Sequence, residues 1–291
     1  MRYRTQLLLM LAPFLVGLVV LVIVPATASL AVAFFDYSPL HPTNFKWDGL
    51  GQFAQLGGDQ LFWTALGNSL IYTAGSVPLR LLGAAGLALL LERRRKGIGA
   101  FRATAYLPTI IPDVAYALVW LWIFNPLFGP VNQVLRALHW PEQSWLIDTG
   151  GARSIVILMA GWQVGEGLVI MLAALRDVPQ ELHDSILVDG AGRWQRLRHL
   201  VLPFIAPTFL LLLFRDTIVS LQDNFAPSLL VTQGGPHFAT LFLPLKIYYD
   251  GFQNFRFGYA AAMVWVLYGV TAIIVFLQFK TTRQWSEASY E

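Results

Sequence analysis

The sequence has 291 residues, of which 56% are hydrophobic and only 13% are charged, against the roughly 25% charged residues of soluble domains. It contains 0 Cys, which excludes disulfides, thiolate metal sites and cysteine nucleophiles. Its net charge of +3 gives no reason to expect nucleic acid as a partner. This composition predicts an integral membrane protein.

Six apolar stretches are each about as long as a helix that crosses ~30 Å of hydrocarbon. Arg2 and Arg4 precede the first stretch, as in a secretory signal peptide, but its apolar run far exceeds the roughly 7–15 residues of such a signal. We therefore expect a retained first span and an all-α protein with about six transmembrane helices in a single domain, residues 1–291. The predicted spans cover residues 7–35, 61–91, 103–124, 155–175, 203–221 and 257–279.

The distribution of positive charge predicts the orientation in the lipid bilayer. Short cytoplasmic loops carry an excess of Lys and Arg. If the N-terminus is cytoplasmic, most of the 20 Lys and Arg residues fall on the cytoplasmic side, so we expect both the N- and the C-terminus in the cytoplasm. The cytoplasmic set is Arg2, Arg4, Arg93, Arg94, Arg95, Lys96, Arg102, Arg176, Arg193, Arg196, Arg198, Lys280 and Arg283, and the outer set is Lys46, Arg136, Arg153, Lys246 and Arg256.

Known catalytic motifs are missing from the sequence. The Gly-Lys-Ser or Gly-Lys-Thr of a phosphate-binding loop does not occur, no His is followed by Glu, and no Ser lies in a Gly-x-Ser-x-Gly turn. We therefore expect no enzyme activity, no metal site and no cofactor on this chain. Coupling to ATP would fall to a partner subunit, which would bind the ATP and Mg²⁺.

Polar side chains in the fifth predicted span are the first candidates for a solute path. Ionisable groups inside a span are costly and usually face a partner or a water-filled path. Asp216, Ser220 and Asp223 recur at i, i+4 and i+7, with Asn224 beside them. This spacing predicts one shared helical face.

The fourth predicted span carries a second polar group. Gln163 and Glu166 share a face at i and i+3, next to Trp162. Amides and carboxylates bond to hydroxyls and an indole packs on a sugar ring, so both groups suit a neutral, polyhydroxylated solute. The alternative is that these polar residues only join packed helices.

Two arginines lie within predicted spans and need partners. Arg215 adjoins Asp216, but neighbours in a helix point about 100° apart, so we expect no simple pairing between them. For Arg80 the candidate partners are Asp113, Glu166 and Asp216, in a structural ion pair.

The loop at residues 176–202 carries a spaced motif. Asp184-Ser185-Ile186 is followed by Gly190, then by Leu200, and then by Leu202-Pro203. This pattern resembles the last large cytoplasmic loop of the permease subunits of binding-protein-dependent ABC importers, although Asp-Ser-Ile replaces the usual Glu-Ala-Ala and Leu200 replaces Ile. The run from Leu230 to Pro236 resembles the outer loop of the carbohydrate-uptake subfamily.

This resemblance implies the type I ABC importer permease fold in a prokaryotic cytoplasmic (inner) membrane. It implies half of a translocation path for a sugar or oligosaccharide, a second permease subunit, a dimer of ATP-binding cassette subunits and an extracytoplasmic solute-binding protein. A helix at residues 180–189, exposing Leu182, Ile186 and Val188, would seat in a groove on the ATP-binding subunit. Gly190 would end that helix, because Gly readily adopts the left-handed cap. The candidate coupling residues are Glu181, Asp184, Ser185, Ile186, Asp189, Gly190, Ala191 and Arg193.

An ion-coupled secondary carrier for a polar solute is the alternative function. A proton or Na⁺ would then act through Asp216, Asp223 or Glu166. The loop motif and the lack of paired halves within 291 residues favour the importer permease.

Overall fold

The computed structural model describes residues 3–41, 43, 45–92 and 96–287, and helices dominate this part of the chain. Short π-helical segments at Val19–Ile23, Leu197–Val201, Ser228–Thr232 and Tyr249–Gln253 and a 3-10 turn at Leu107–Thr109 adjoin the α-helices. The α-helices are α1 (Tyr3–Leu18), α2 (Val24–Val32), α3 (Gly51–Gly58), α4 (Gln60–Leu91), α5 (Ile98–Tyr106), α6 (Asp113–Ile123), α7 (Pro130–Ala137), α8 (Thr149–Trp162), α9 (Gly165–Arg176), α10 (Gln180–Val188), α11 (Arg193–Arg196), α12 (Leu202–Gln222), α13 (Phe225–Pro227), α14 (Leu243–Tyr248) and α15 (Phe257–Glu287).

A single short hairpin accompanies the helices in the described residues. Strand β1 (Phe35–Asp36) pairs antiparallel with β2 (Lys46–Trp47), with Phe35 opposite Trp47. Of the charges that predict the orientation, Arg2, Arg93, Arg94 and Arg95 lie outside the described residues, as do the side chains of Arg4 and Arg283.

The membrane-crossing helices agree with the predicted number. The structure has 4 helices that are long and apolar enough to cross a bilayer, or up to 6 if each of two bent helix pairs counts as one span. The 4 helices cover Gln6–Val32, Gln60–Leu91, Arg193–Thr232 and Phe257–Thr282, and the bent pairs are Ile98–Thr109 with Asp113–Ile123 and Thr149–Trp162 with Gly165–Arg176.

The third and fourth predicted spans are each a pair of helices joined at a bend. The third bends by 97° and the fourth by 41°. At the first bend Pro112, in an extended conformation, precedes α6, because proline has no N–H to continue a helix and pushes the residue before it out of the helical region. At the second bend Gln163 leaves the helical conformation and α9 restarts at Gly165.

The chain divides into two compact units, residues 1–62 with 246–269 and residues 63–245 with 270–291. Each has its own packing, and the single domain expected from the sequence stays a prediction. The core of the second unit is formed by apolar side chains of α4, α9 and α12 and of the π segment before α12, in which Leu81, Leu168, Met171, Ile205 and Leu212 are almost fully buried.

In the first unit, charged side chains of both chain segments form a network. The Lys246 ammonium lies 2.9 Å from an Asp59 carboxylate oxygen and 3.0 Å from one of Asp250. The Tyr259 hydroxyl donates to Asp59 over 2.6 Å, and the Arg256 guanidinium lies 4.2 Å from the Tyr259 ring centre. The sequence placed Lys246 and Arg256 only as outer-loop charges, whereas the structure gives both a specific partner.

Asp59 also begins α4, because its carboxylate accepts hydrogen bonds from the backbone N–H groups of Leu61 and Phe62. Partial burial raises the pKa of Asp59, but the hydrogen bonds from Tyr259 and Lys246 and the bond from Phe62 outweigh burial and lower this pKa from 3.8 to about 2. Asp59 is therefore ionised and paired at any physiological pH.

In the second unit, a buried polar network joins α4 and α8 to the segment before α14. The Arg153 guanidinium donates to the Asn68 amide oxygen and to the Ala239 carbonyl, each over 2.9 Å. The Asn68 amide donates in turn to the carbonyls of Phe238 and Leu241. Arg153 was predicted in an outer loop, but it lies in the second turn of α8 and satisfies carbonyls that a loop would otherwise leave unpaired.

Candidate solute cavity and coupling helix

The second unit contains a polar cavity of about 190 Å³. It lies at the two helix bends, where α5 with its 3-10 turn meets α6 and where α8 meets α9, and α4, α12 and α13 close its other sides. Irregular backbone inside a membrane protein is tolerated where it lines a cavity. The lining residues are Tyr72, Arg80, Thr109, Asp113, Tyr116, Met159, Ala160, Gln163, Glu166, Gly167, Arg215, Val219, Asp223, Ala226 and Pro227.

Close packing at the second bend depends on Gly165. A Cβ atom at this position would lie 2.8 Å from the Tyr106 Cα and 2.8 Å from the Thr109 hydroxyl, closer than real side chains approach. The start of α9 therefore lies directly against the end of α5 and its 3-10 turn. This contact brings Gln163 and Glu166, on either side of the bend, to the same cavity.

A chain of alternating charges joins α4, α12 and α9 beside the cavity. Arg80 lies 3.9 Å from the buried Asp216 carboxylate and donates to the Ala160 carbonyl over 3.2 Å. Arg215 lies 3.2 Å from Asp216 and also pairs with Glu166. Of the predicted partners for Arg80, the structure thus selects Asp216.

The expectation that Arg215 and Asp216 do not pair is wrong. Neighbouring side chains do leave a helix in different directions, but their length also decides whether they meet. The arginine side chain is long enough to turn back along the helix, so its guanidinium reaches the carboxylate of the next residue while its other nitrogen pairs with Glu166.

The structure separates the predicted solute-path residues into two groups, and their role in transport stays a prediction. Gln163, Glu166 and Asp223 line the cavity, whereas Trp162, 60% exposed, does not. Asp216, Ser220 and Asn224 are buried outside the lining.

Asp223 lies at the very end of the helix whose face it was predicted to share with Asp216 and Ser220. Helix α12 ends at Gln222, and Asp223 adopts a non-helical conformation after it. Ser220 instead contacts Ser76 across 3.4 Å and accepts, through its backbone carbonyl, a hydrogen bond from the Asn224 amide. These buried groups join helices, as the alternative interpretation proposes.

Several lining residues had no clear signal in the sequence. Tyr72 and Tyr116 stand among apolar neighbours in their spans, where aromatic residues are common, although the Tyr116 hydroxyl donates to the Met159 carbonyl over 2.7 Å. Asp113 was considered only as a partner of Arg80. Its position directly after Pro112 was the available signal, since a proline followed by an acidic residue marks a helix start.

The predicted coupling helix is confirmed as a structural element. Helix α10 (Gln180–Val188) exposes Leu182 by 43% and Val188 by 87%, while Ile186 is partly buried. Gly190 has a φ of +75°. The N–H groups of Gly190 and Ala191 donate to the carbonyls of Leu187 and Ile186, which is the hydrogen-bond pattern of the Schellman cap.

The other candidate coupling residues lie on or beside α10. Asp184 accepts a hydrogen bond from the Gln180 amide over 3.0 Å, and Ser185 donates to the Leu182 carbonyl. The side chains of Glu181, Asp189 and Arg193 are exposed. The segment thus presents apolar and acidic groups together, and their role in coupling stays a prediction.

The bent spans define a helical membrane protein with a polar cavity, and comparisons with known proteins show its family. Residues 81–283 match the family of inner membrane components of binding-protein-dependent transport systems. The chain therefore belongs to this family, the permeases of ABC importers, as the loop motif predicted.

Individual relatives align along almost the whole chain. It is 33% identical over 280 residues to the probable ABC transporter permease protein YesP of Bacillus subtilis (strain 168), covering 94% of this chain and 89% of that protein. It is 30% identical over 286 residues to the lactose transport system permease protein LacF of Rhizobium radiobacter, covering 95% and 93%. This chain is also similar to a chain in the crystal structure of a bacterial alginate ABC transporter in complex with an alginate pentasaccharide-bound periplasmic protein. The match has a TM-score of 0.84 and 25% sequence identity, and it covers 97% of this chain and 95% of that chain.

Proposed function

We propose that this chain is the permease subunit of an ATP-driven importer and forms half of the translocation path for a sugar or oligosaccharide. The names of its relatives support the solute class, because one is a lactose permease and one belongs to an alginate transporter. The cavity fits this class, since its amide, carboxylate and phenol groups are those that bond to hydroxyls.

The size of the cavity supports a shared path. About 190 Å³ is less than the roughly 300–1,000 Å³ of a typical small-molecule site. A second permease subunit would supply the rest of the path. A solute-binding protein on the outer side would deliver the sugar to it.

The observation that carries the ATP-driven mechanism is the exposed, sharply ended helix α10. A helix of nine residues is too short to be stable in water by itself. Its exposed Leu182 and Val188 therefore need an apolar partner surface to pack against. An ATP-binding subunit that holds ATP and Mg²⁺ on the cytoplasmic side would cover them. This arrangement requires both termini in the cytoplasm of a prokaryote and the protein in its inner membrane.

An ion-driven carrier remains the second candidate because Asp223 lines the cavity without an ion-pair partner among the described residues. The two functions differ in what drives uptake. The tagged full-length chain is purified from its own organism in mild detergent, reconstituted with whatever co-purifies, and tested with radiolabelled lactose.

If the chain is an importer permease, ATP-binding subunits and a second permease subunit should co-purify with it. Uptake of lactose should then occur only when ATP is present on the side of the ATP-binding subunits. Uptake by the lone chain that follows a proton or Na⁺ gradient and ignores ATP would refute the proposal. The chain freed of its partners serves as the control and should hydrolyse no ATP.

A further inference from the structure

The charges around the cavity do not balance. Arg80 and Arg215 are both engaged, since Asp216 lies beside each of them and Glu166 pairs with Arg215. These two arginines neutralise these two carboxylates. The carboxylates of Asp113 and Asp223 are left, and neither has an ion-pair or hydrogen-bond partner within the described residues, although Arg80 lies within electrostatic reach of Asp223.

The two remaining carboxylates lie close enough for their charges to interact. Asp113 opens α6, where the helix dipole stabilises a negative charge. Asp223 follows the end of α12, where the free carbonyl groups add negative potential. The cavity therefore offers acceptors for hydrogen bonds and lacks a free cation.

A buried phenol points to a ligand in the same place. Tyr72 lines the cavity and is only 4% exposed as a residue, and its hydroxyl has no hydrogen-bond partner among the residues that the structure describes. The hydroxyl is not one of the buried unpaired atoms, so it is accessible from the cavity. Water or the hydroxyl groups of a solute would satisfy it.

We propose that this cavity accepts uncharged or cationic sugars and rejects anionic ones, such as uronates, sugar phosphates and sugar sulfonates. The proposal rests on the function proposed above and narrows its substrate class, which sets this chain apart from the transporter of the acidic polysaccharide alginate. An anionic group would face the two unpaired carboxylates of Asp113 and Asp223, and no unengaged arginine or lysine lines the described cavity to compensate for its charge. Sugar hydroxyls and ammonium groups supply the missing donors.

The absence of native cysteine allows a direct measurement of this potential. Ala226→Cys places a single thiol in the cavity lining, and Ser144→Cys places one in an exposed loop as the control. Each purified variant reacts with a cationic (trimethylammonium-ethyl) and an anionic (sulfonatoethyl) methanethiosulfonate. In both reactions the thiolate attacks the sulfenyl sulfur, a disulfide forms and methanesulfinate leaves. The rate ratio at the loop control corrects for the different intrinsic reactivities of the two reagents.

We expect the cationic-to-anionic rate ratio at Ala226→Cys to exceed that at Ser144→Cys about ten-fold or more. Adding Asp113→Asn and Asp223→Asn should bring it close to the loop value and leave the Ser144→Cys ratio unchanged. A cavity ratio equal to the loop ratio, or one that survives both neutral substitutions, would overturn the proposal. Failure of Ala226→Cys to react with the small neutral methyl reagent would also overturn it, because the cavity would then be closed to solutes.

The comparison of Ala226→Cys with Ser144→Cys, made without the two Asn substitutions, does not depend on whether the double Asn variant folds. It also requires neither a transported sugar nor ATP. Gradient-driven, ATP-independent uptake by the lone chain would reject the importer, whereas a failed reagent experiment rejects only the charge selectivity.

Discussion

Replacing Gly190 with valine tests whether α10 couples this chain to an ATP-binding subunit. Gly190 has a φ of +75°, and a β-branched residue strongly disfavours that conformation. A Cβ atom there would meet nothing within 4 Å in this chain. The cost is therefore conformational and local, and the membrane spans should fold normally.

The size of the effect follows from the cap geometry. A left-handed conformation costs a non-glycine residue about 1–2 kcal/mol. If the chain avoids this cost by leaving the conformation, it loses the two cap hydrogen bonds to Leu187 and Ile186, each worth about 1 kcal/mol. In either case the docked conformation of α10 is destabilised by about 1–2 kcal/mol. This free energy corresponds to about 5–30-fold weaker binding of the partner.

The assay compares Gly190→Val with Gly192→Val at equal membrane levels. Gly192 lies in the same loop but has an ordinary extended conformation, with φ −70° and ψ 169°, which valine readily adopts. Retention of the ATP-binding subunit and the ratio of uptake to ATP hydrolysis are measured for both variants. Equal retention and coupling in Gly190→Val and wild type would show that this loop is not the coupling element.

Three further predictions concern buried or cavity-lining charges. Asp223→Ala should reduce reconstituted uptake about ten-fold or more through loss of a charged hydrogen-bond acceptor. The control Trp162→Phe, outside the cavity, should transport normally. Wild-type uptake by Asp223→Ala would show that Asp223 is not part of the solute path. Asp216→Ala leaves the partly buried Arg80 guanidinium without its carboxylate partner, so denaturant titration should show a loss of about 1–3 kcal/mol in unfolding free energy, and an unchanged value would contradict the pairing. Asp59→Asn should unfold at a lower temperature than wild type at pH 7. Because the folded-state pKa of Asp59 is about 2, below its ordinary 3.8, this difference should fade as the pH falls from about 4 to about 2, and a constant difference would refute the role of its charge.

The family, the number of spans and the coupling helix could be predicted from the sequence because each depends on local pattern. A span needs a run of apolar residues about as long as the bilayer is thick. The end of α10 needs only a glycine that tolerates a positive φ, and Gly190 provides it. The loop motif likewise lies within one short segment, so its spacing could be read directly.

The composition of the cavity was decided by tertiary structure. Asp216, a candidate for the solute path, contacts Arg80, 136 positions earlier in the chain, and lies outside the cavity lining. Asp223 lines the cavity from just beyond the end of α12. Periodicity specifies which side chains share a helix face, whereas the partners across that face depend on how separate helices bend and pack. The pairing of distant charges, and hence the negative potential left in the cavity, therefore exists only in the folded chain.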